Sequence, residues 1–245
     1  MNMKGGNAKT TTANAIAAGL RREGKRVLAI DADPQANLSI WMGADPNSGA
    51  RGLYDVIAAN RSIRKSIQNT PQGPIIAADS RLTEKGLLQG RNSEYRIREA
   101  LTNVADDYDA TVIDCAPGLS TLTYAALTAA DGVVIPCKAD RFSMDALGQI
   151  AATLNTVKAN SNKRLTVYGI LIVMYERRPL AQRLMKEQIE RQAAALDLPV
   201  FATPIRKSTG IQEAQITGDD IYTTNSSAAQ DYGEIIKELL DTTRL

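Results

Sequence analysis

Apolar residues follow two different spacings along the chain, and the two kinds of segment alternate. Short apolar runs rich in β-branched side chains predict strands at residues 26–32, 75–78, 109–115, 133–136, 168–173 and 200–202. Helical spacing or helix-compatible polar sequence predicts helices at 12–22, 53–59, 80–89, 93–105, 119–130, 143–159, 179–196 and about 226–241. Strands that alternate with helices predict a doubly wound α/β fold, a mostly parallel sheet with helices on both faces. No repeat or linker divides the sequence, so we expect a single domain over residues 1–245.

Two of the predicted strands end in carboxylates. The apolar run at 27–30 leads into Asp31, Ala32 and Asp33, and the run at 111–113 leads into Asp114. Open α/β sheets bind ligands at the carboxyl ends of their strands. An aspartate there suits water-mediated contact with Mg²⁺ in a nucleotide site. For residues 31–35, a turn rich in aspartate and proline is the alternative interpretation.

A glycine-rich stretch, Lys4-Gly5-Gly6-Asn7-Ala8-Lys9-Thr10-Thr11, stands just before the first predicted helix. The backbone N–H groups of such a loop can surround a phosphate, and the helix points its positive end at the same anion. Lys9 would reach the β- and γ-phosphates, and the Thr10 hydroxyl would bind Mg²⁺. The strict P-loop spacing requires glycine where this chain has Met3 and Ala8. A glycine-rich turn with an incidental lysine is therefore the alternative for this stretch alone.

Composition excludes several classes of function. The chain of 245 residues has no histidine, which excludes a histidine general base, histidine metal ligands and a Ser-His-Asp triad. Aromatic residues make up 4%, which argues against a base-stacking surface for single-stranded nucleic acid. A net charge of +2 means that any basic patch must be local. Cys115 and Cys137 lie in apolar strand-like segments and are expected to be buried free thiols. No membrane span or signal peptide is visible.

Several segments in order resemble the ParA/Soj group of deviant Walker A ATPases, which are relatives of MinD. The resemblance covers nearly the whole chain and is carried by residues 4–11, 30–37, 108–117, 130–136 and 203–206. In it, residues 4–11 correspond to the deviant Walker A loop with Lys4 as its signature lysine, and residues 108–117 to the Walker B region. It implies a P-loop NTPase fold. Only Met1, Asn2 and Met3 precede Lys4, where the family has a central strand, so either the true start lies upstream or the sheet lacks that strand.

The resemblance also implies roles for individual residues, with ATP and Mg²⁺ as cofactors. Lys9 contacts the phosphates in its own subunit, Lys4 reaches across a dimer to the partner's nucleotide, and Thr11 contacts the α-phosphate. Asp33 orients the attacking water. The implied metal set is Thr10, Asp31, Asp33 and Asp114, in which Asp31 and Asp114 support the water shell of the metal. The other implied ATP-binding residues are Gly5, Gly6, Asn7, Ala8, Pro204 and Arg206.

The implied function is ATP-dependent DNA partition, in a cytoplasmic and nucleoid-associated protein without membrane attachment. An ATP-dependent homodimer binds double-stranded DNA without sequence preference and has weak intrinsic ATPase activity. A ParB-like centromere-binding protein stimulates hydrolysis, and the cycle segregates a plasmid or chromosome. Expected DNA contacts come from a basic region, with Arg178 and Arg206 leading; the full set is Arg177, Arg178, Arg183, Arg206 and Lys207.

Two other functions fit the same fold. A MinD-type membrane-cycling ATPase would need an amphipathic C-terminal helix on lipid, but the acidic residues at 232–241 favour an ordinary docked helix. The other is a metabolic ATP-dependent ligase or an iron–sulfur reductase. A reductase would need cluster cysteines in loops, whereas Cys115 and Cys137 lie in or beside predicted strands.

Overall fold

Strands and helices alternate in the computed structural model, which describes residues 6–46, 52–84 and 87–243. The strands are β1 (Val27–Ala32), β2 (Ile67–Thr70), β3 (Gly73–Ile76), β4 (Ala110–Cys115), β5 (Gly132–Lys138) and β6 (Thr166–Val173). The helices are α1 (Lys9–Arg22), α2 (Asn37–Trp41), α3 (Leu53–Ala58), α4 (Arg96–Thr102), α5 (Thr121–Ala129), α6 (Arg141–Asn160), α7 (Leu180–Ala195), α8 (Gly210–Thr217) and α9 (Ser227–Thr242). The predicted α/β class is confirmed.

Parallel pairing brings the two carboxylate-ended strands side by side. β1 pairs in parallel with β3 on one side and β4 on the other, and β5 pairs in parallel with β6. The short strand β2 is antiparallel to β3 at the edge. The register of β1 and β4 places Asp31 opposite Asp114. The aspartates that end the two apolar runs therefore meet at one edge of the sheet, as expected for a ligand site in this class of fold.

A cavity of about 620 Å³ lies between β4 and β5. Among the described residues the strands fall into two groups, with the order β2-β3-β1-β4 in one and β5-β6 in the other. Apolar side chains from α1 and α5, including Ile16, Leu20, Ala126 and Leu127, also line the cavity. The strand that the family has before Lys4 falls on residues outside the described part of the chain, so its prediction stays a prediction.

The C-terminal helix α9 packs its apolar face against α1. Tyr232, Ile235, Ile236 and Leu239 are buried in the cluster that includes the α1 residues Ile16 and Leu20. Gly19 of α1 permits this approach, because a Cβ there would lie 2.5 Å from Cγ1 of Ile236. The apolar spacing at 232–241 therefore reflects core packing, as expected for a docked helix, and this face is not available to lie on lipid.

Other predicted elements are shorter than expected. Residues 80–83 form a single 3₁₀ turn, capped by the Asp79 carboxylate, instead of a helix over 80–89. The helix expected at 93–105 is α4 preceded by a 3₁₀ turn, and the strand expected at 200–202 is reduced to an isolated parallel bridge between Ile170 and Val200. The edge strand β2 was not predicted because its sequence is polar. Only one face of such a strand packs on the core.

Candidate functional site

A left-handed turn leads the chain into α1. Gly6 has a φ of +81°, and Ala8, just before the helix, has φ 53° and ψ 29°. No side chain caps α1, and its first turn contains no acidic residue. The N-terminus of a helix carries partial positive charge and N–H groups without helical partners, so this end of α1 suits an anion. The predicted site residues Lys4 and Gly5 lie outside the described part of the chain.

Two buried polar side chains at this turn each contain one atom that lacks a hydrogen-bond partner among the described residues. Nδ2 of Asn7, a residue that is 1% exposed, has no acceptor. Oδ2 of Asp114, a residue that is 2% exposed, has no donor. Buried polar atoms are nearly always paired, because an unpaired one forfeits its hydration without compensation. The amide suits a phosphate oxygen, and the carboxylate suits a metal-bound water, so these residues fit a magnesium nucleotide.

The charged groups around the turn perturb one another. Burial lowers the pKa of Lys9, against the opposing effect of the Asp114 and Asp33 charges. Burial raises the pKa of Asp114 to about 7, and the neighbouring Asp31 adds to this rise, whereas a hydrogen bond with the Thr10 side chain opposes it. The structure therefore brings Lys9, Thr10, Asp33 and Asp114 together at the start of α1. These residues come from three separate segments of the chain, and their roles in a nucleotide site stay predictions.

Asp31 has a different environment from Asp114, because protein donors occupy both of its oxygens. Oδ1 accepts a hydrogen bond from the Asp33 N–H at 3.0 Å, and Oδ2 accepts from the backbone N–H and the hydroxyl of Ser39, both at 2.8 Å. Burial raises the pKa of Asp31 to about 6. Asp33 in turn accepts from the Gln35 N–H at 3.0 Å. Asp31 thus holds the turn that carries Asp33, and its role as a metal residue stays a prediction.

The donor set is sparse for a metal ion bound by protein alone. Within residues 6–46, 52–84 and 87–243, no group of three or more His, Cys, Asp or Glu side chains gathers as a ligand cage. Mg²⁺ commonly keeps several waters and uses one or two protein ligands together with substrate phosphates. The Thr10 hydroxyl and the Asp114 carboxylate are compatible with a magnesium ion that keeps most of its waters and is bound mainly through phosphates.

The predicted basic residues lie on neighbouring segments at the end of β6. A parallel bridge joins Tyr175 to Arg206, and the Lys207 N–H donates to the Tyr175 carbonyl at 3.2 Å. This places the exposed Arg177 and Arg178 near Lys207. The Arg206 guanidinium is engaged by Asp231, with an Nη2–Oδ1 distance of 2.7 Å, and this pairing raises the pKa of Arg206. Arg183 is exposed in the first turns of α7, and Pro204, predicted to bind ATP, is half-buried just before the bridge.

Both cysteines are unbridged, as expected, but only Cys137 is buried, and Cys115 is half-buried. Burial raises the pKa of the Cys115 thiol to about 12, and it does the same for Cys137. A thiol with so high a pKa carries almost no thiolate at neutral pH and is a poor nucleophile or metal ligand. These cysteines therefore contribute packing rather than chemistry.

Comparison with known protein sequences shows to which family the chain belongs. The family described as AAA domain matches residues 1–167. The chromosome partitioning protein ParA of Caulobacter vibrioides is 32% identical over 252 residues, covering 99% of this chain and 93% of the relative. The sporulation initiation inhibitor protein Soj of Bacillus subtilis is 32% identical, covering 97% of this chain and 95% of the relative. The chain belongs to the ParA/Soj family. It is a partition ATPase of the wider MinD/ParA group.

Solved structures extend the similarity to the whole fold. Cobyrinic acid a,c-diamide synthase from Mycobacterium smegmatis, with bound ATP analog and magnesium, is 30% identical with a TM-score of 0.87. The match covers 98% of this chain and 92% of that one. A point variant of Cyanothece McdA in complex with ATP shares the fold at 20% identity, with a TM-score of 0.88 and coverage of 100% and 96%. In the part of this chain that the structure describes, no helix has the length and apolarity to cross a bilayer.

Ala8 occupies a backbone conformation that favours glycine, and we expect Ala8→Gly to stabilise the protein. The left-handed region costs an alanine about 1–2 kcal/mol, of which the greater flexibility of unfolded glycine cancels about 0.5–1 kcal/mol. The net gain in the free energy of unfolding should be about 0.5–1 kcal/mol, measured by urea denaturation.

Ala36 supplies a matched control, since it precedes α2 with φ 54° and ψ 29°. Ala36→Gly should give a similar gain in stability, whereas only Ala8→Gly should alter nucleotide affinity. A loss of stability in Ala8→Gly would contradict the assigned conformation.

Proposed function

We propose that this partition ATPase binds Mg–ATP at the turn before α1, dimerises with ATP and then binds DNA without sequence preference. In this proposal a ParB-like centromere-binding protein stimulates hydrolysis, and the cycle segregates a plasmid or chromosome from a single domain over residues 1–245. The observation that carries the nucleotide site is the pair of buried atoms without a hydrogen-bond partner among the described residues, Nδ2 of Asn7 and Oδ2 of Asp114, at an uncapped helix N-terminus. The magnesium and ATP analog bound to the Mycobacterium smegmatis relative support the same choice of ligands.

Each residue at the turn contributes binding or orientation. Burial makes the Lys9 charge costly, so pairing with a phosphate would offset part of that cost. Gly6 and Ala8 shape the turn, and the Asn7 amide would donate to a phosphate oxygen. Mg²⁺, when bound, would neutralise charge on the terminal phosphates.

The residues proposed to surround the metal ion have roles that differ from those of the other predicted site residues. The Thr10 hydroxyl would hold the metal, with the Asp114 carboxylate, and in a lesser role Asp31, ordering its water shell. Asp33 would orient the attacking water, and Thr11 would contact the α-phosphate. Lys4 would reach the nucleotide of a second copy, and Gly5 would complete the turn. Pro204 and Arg206 would contact ATP.

The basic surface at the end of β6 is the proposed DNA interface. Arg177 and Arg178 are exposed, and within the described residues neither forms an ion pair. Lys207 lies beside them with only a loose contact to Glu176, at 3.5 Å, and Arg183 follows on α7. Arg206 is the weaker candidate of the predicted set, because Asp231 already engages its guanidinium. A dimer would double the number of phosphate contacts and so raise the affinity.

Duplex binding should require ATP, and Arg178→Ala should weaken it equally for all sequences. Removing one phosphate contact should lower the slope of log affinity against log salt by about 0.9. The measurement is a salt titration of duplex binding with no nucleotide, with ADP and with ATP. Arg191→Ala is a matched control, since Arg191 is an exposed arginine near the far end of α7.

Two results would overturn the DNA proposal: tight binding by the nucleotide-free protein, or preference for one operator sequence. Liposome pelleting with ATP tests the MinD-type alternative. The buried apolar face of α9 predicts that the protein stays in the supernatant.

A further inference from the structure

Lys138 places a second ammonium group against the phosphate-binding turn. It is the last residue of β5 and is half-buried. Its Nζ lies 3.8 Å from the position that a Cβ on Gly6 would occupy. Strand β5 and the start of α1 therefore approach the same turn from two directions, each with a lysine.

No acidic side chain among the described residues forms an ion pair with Lys138. The nearest acid along the chain, Asp140, is directed to helix α6, where its Oδ1 accepts from the Ser143 N–H at 2.8 Å. The Asp140 N–H in turn donates to the Lys138 carbonyl at 2.8 Å and fixes the end of β5. The backbone of Lys138 is thus held in place, while its charge has no counter-ion within the described part of the chain.

An anion bound at the turn would be attracted by the ammonium groups of both Lys9 and Lys138. We propose that Lys138 contacts the terminal phosphate of the bound nucleotide from the β5 side, while Lys9 approaches from α1. This inference rests on the nucleotide site proposed above. A lysine at the start of the helix after such a loop is placed for the β- and γ-phosphates, and Lys138 reaches the same loop beside Gly6, so the two lysines would share the terminal phosphates.

Lys138→Ala should weaken binding of a non-hydrolysable ATP analogue with Mg²⁺ by about tenfold or more, the usual effect of losing a charge-assisted hydrogen bond. Binding of ADP should change by less than about threefold, because the diphosphate lacks the group that Lys138 contacts. Calorimetric titration of the full chain with each nucleotide measures both values. Unchanged affinity for the triphosphate, or equal reductions for both nucleotides, would overturn the assignment.

Lys138→Met preserves the apolar part of the side chain, in case the alanine variant folds poorly. Its melting temperature without nucleotide should equal or exceed that of the wild type, because Lys138 has no ion pair within the described part of the chain for the change to break. Lys158→Ala is the matched control, a half-buried lysine near the end of the following helix, α6, and it should bind both nucleotides normally.

Lys9→Ala separates this inference from the proposed function. If Lys9→Ala loses both nucleotides but Lys138→Ala binds normally, the site stands and only the role of Lys138 is wrong. If Lys9→Ala binds both nucleotides like the wild type, the proposed nucleotide site itself is wrong.

Discussion

Asp114→Asn is expected to stabilise the nucleotide-free protein at neutral pH and to lower ATP turnover by about 100-fold or more. Burial raises the pKa of this carboxyl from 3.8 to about 7, so its ionised form is less stable in the folded protein than in the unfolded chain. Asparagine has the same shape without the charge. The turnover loss follows from removing a carboxylate that orders the metal's waters, a contribution of the usual size for such groups.

The difference in the free energy of unfolding between Asp114→Asn and the wild type should depend on pH. Below about pH 4 the carboxyl is protonated in both states, and it contributes no penalty. As the pH rises from about 4 to about 7 the unfolded chain releases this proton first, so the wild type loses stability relative to Asp114→Asn. Above about pH 7 the difference is complete, at up to roughly 4 kcal/mol from about 1.4 kcal/mol per pKa unit. Thermal melts from about pH 4 to about pH 8, without nucleotide or Mg²⁺, measure it.

Asp33→Ala provides the contrasting variant. It should also lose turnover, because the proposed water-orienting group is gone, but it removes the hydrogen bond from the Gln35 N–H and should not raise stability. Both variants should still bind nucleotide. If Asp114→Asn were less stable than the wild type at neutral pH, or hydrolysed ATP at the wild-type rate, the assigned environment of Asp114 would be wrong.

Local sequence was enough to predict that two strands end in carboxylates at the ligand-binding edge of the sheet. A wholly apolar strand that ends in aspartate predicts where that aspartate lies, and parallel pairing then brings Asp31 beside Asp114. The glycine-rich stretch just before a run with helical spacing predicts a turn that leads into a helix, and the structure has that turn before α1. These inferences depend on short-range patterns and on one rule of sheet topology.

Interactions between distant segments could not be predicted in the same way. Nothing in the sequence near Arg206 indicates that Asp231 engages it, or that Ser39 occupies an oxygen of Asp31. The sequence gives no sign of a role for Lys138, because a lysine after an apolar strand is ordinarily a solvated strand end. Its significance depends on the three-dimensional approach of β5 to Gly6, which no local pattern specifies.

The cavity between β4 and β5 has the surroundings of a central strand. It runs along both strands to their amino-terminal ends, where Asp109 and Asp131 line it, and Lys9 lines it near the turn. A strand leading into the turn at Gly6 would lie parallel to β4 and β5 and would be covered by α1 and α5. Central strands of such sheets are buried on both faces and are therefore apolar throughout.

Adding a short run of valine and isoleucine residues directly before Met1 is expected to raise the melting temperature by on the order of 10 °C. Burial of each such side chain contributes about 1.5–3 kcal/mol, and ordering its backbone costs about 1–2 kcal/mol, so several residues leave a net gain of a few kcal/mol. In a domain of this size each kcal/mol corresponds to about 2–4 °C. Nucleotide affinity should rise as well, because the added strand would hold the turn in place.

An extension of equal length made of glycine, serine and proline is the control, since it cannot fill the cavity or complete a ladder of hydrogen bonds. Equal melting temperatures and equal ATP affinities for the apolar extension, the control and the unextended chain would show that the cavity does not accept a strand.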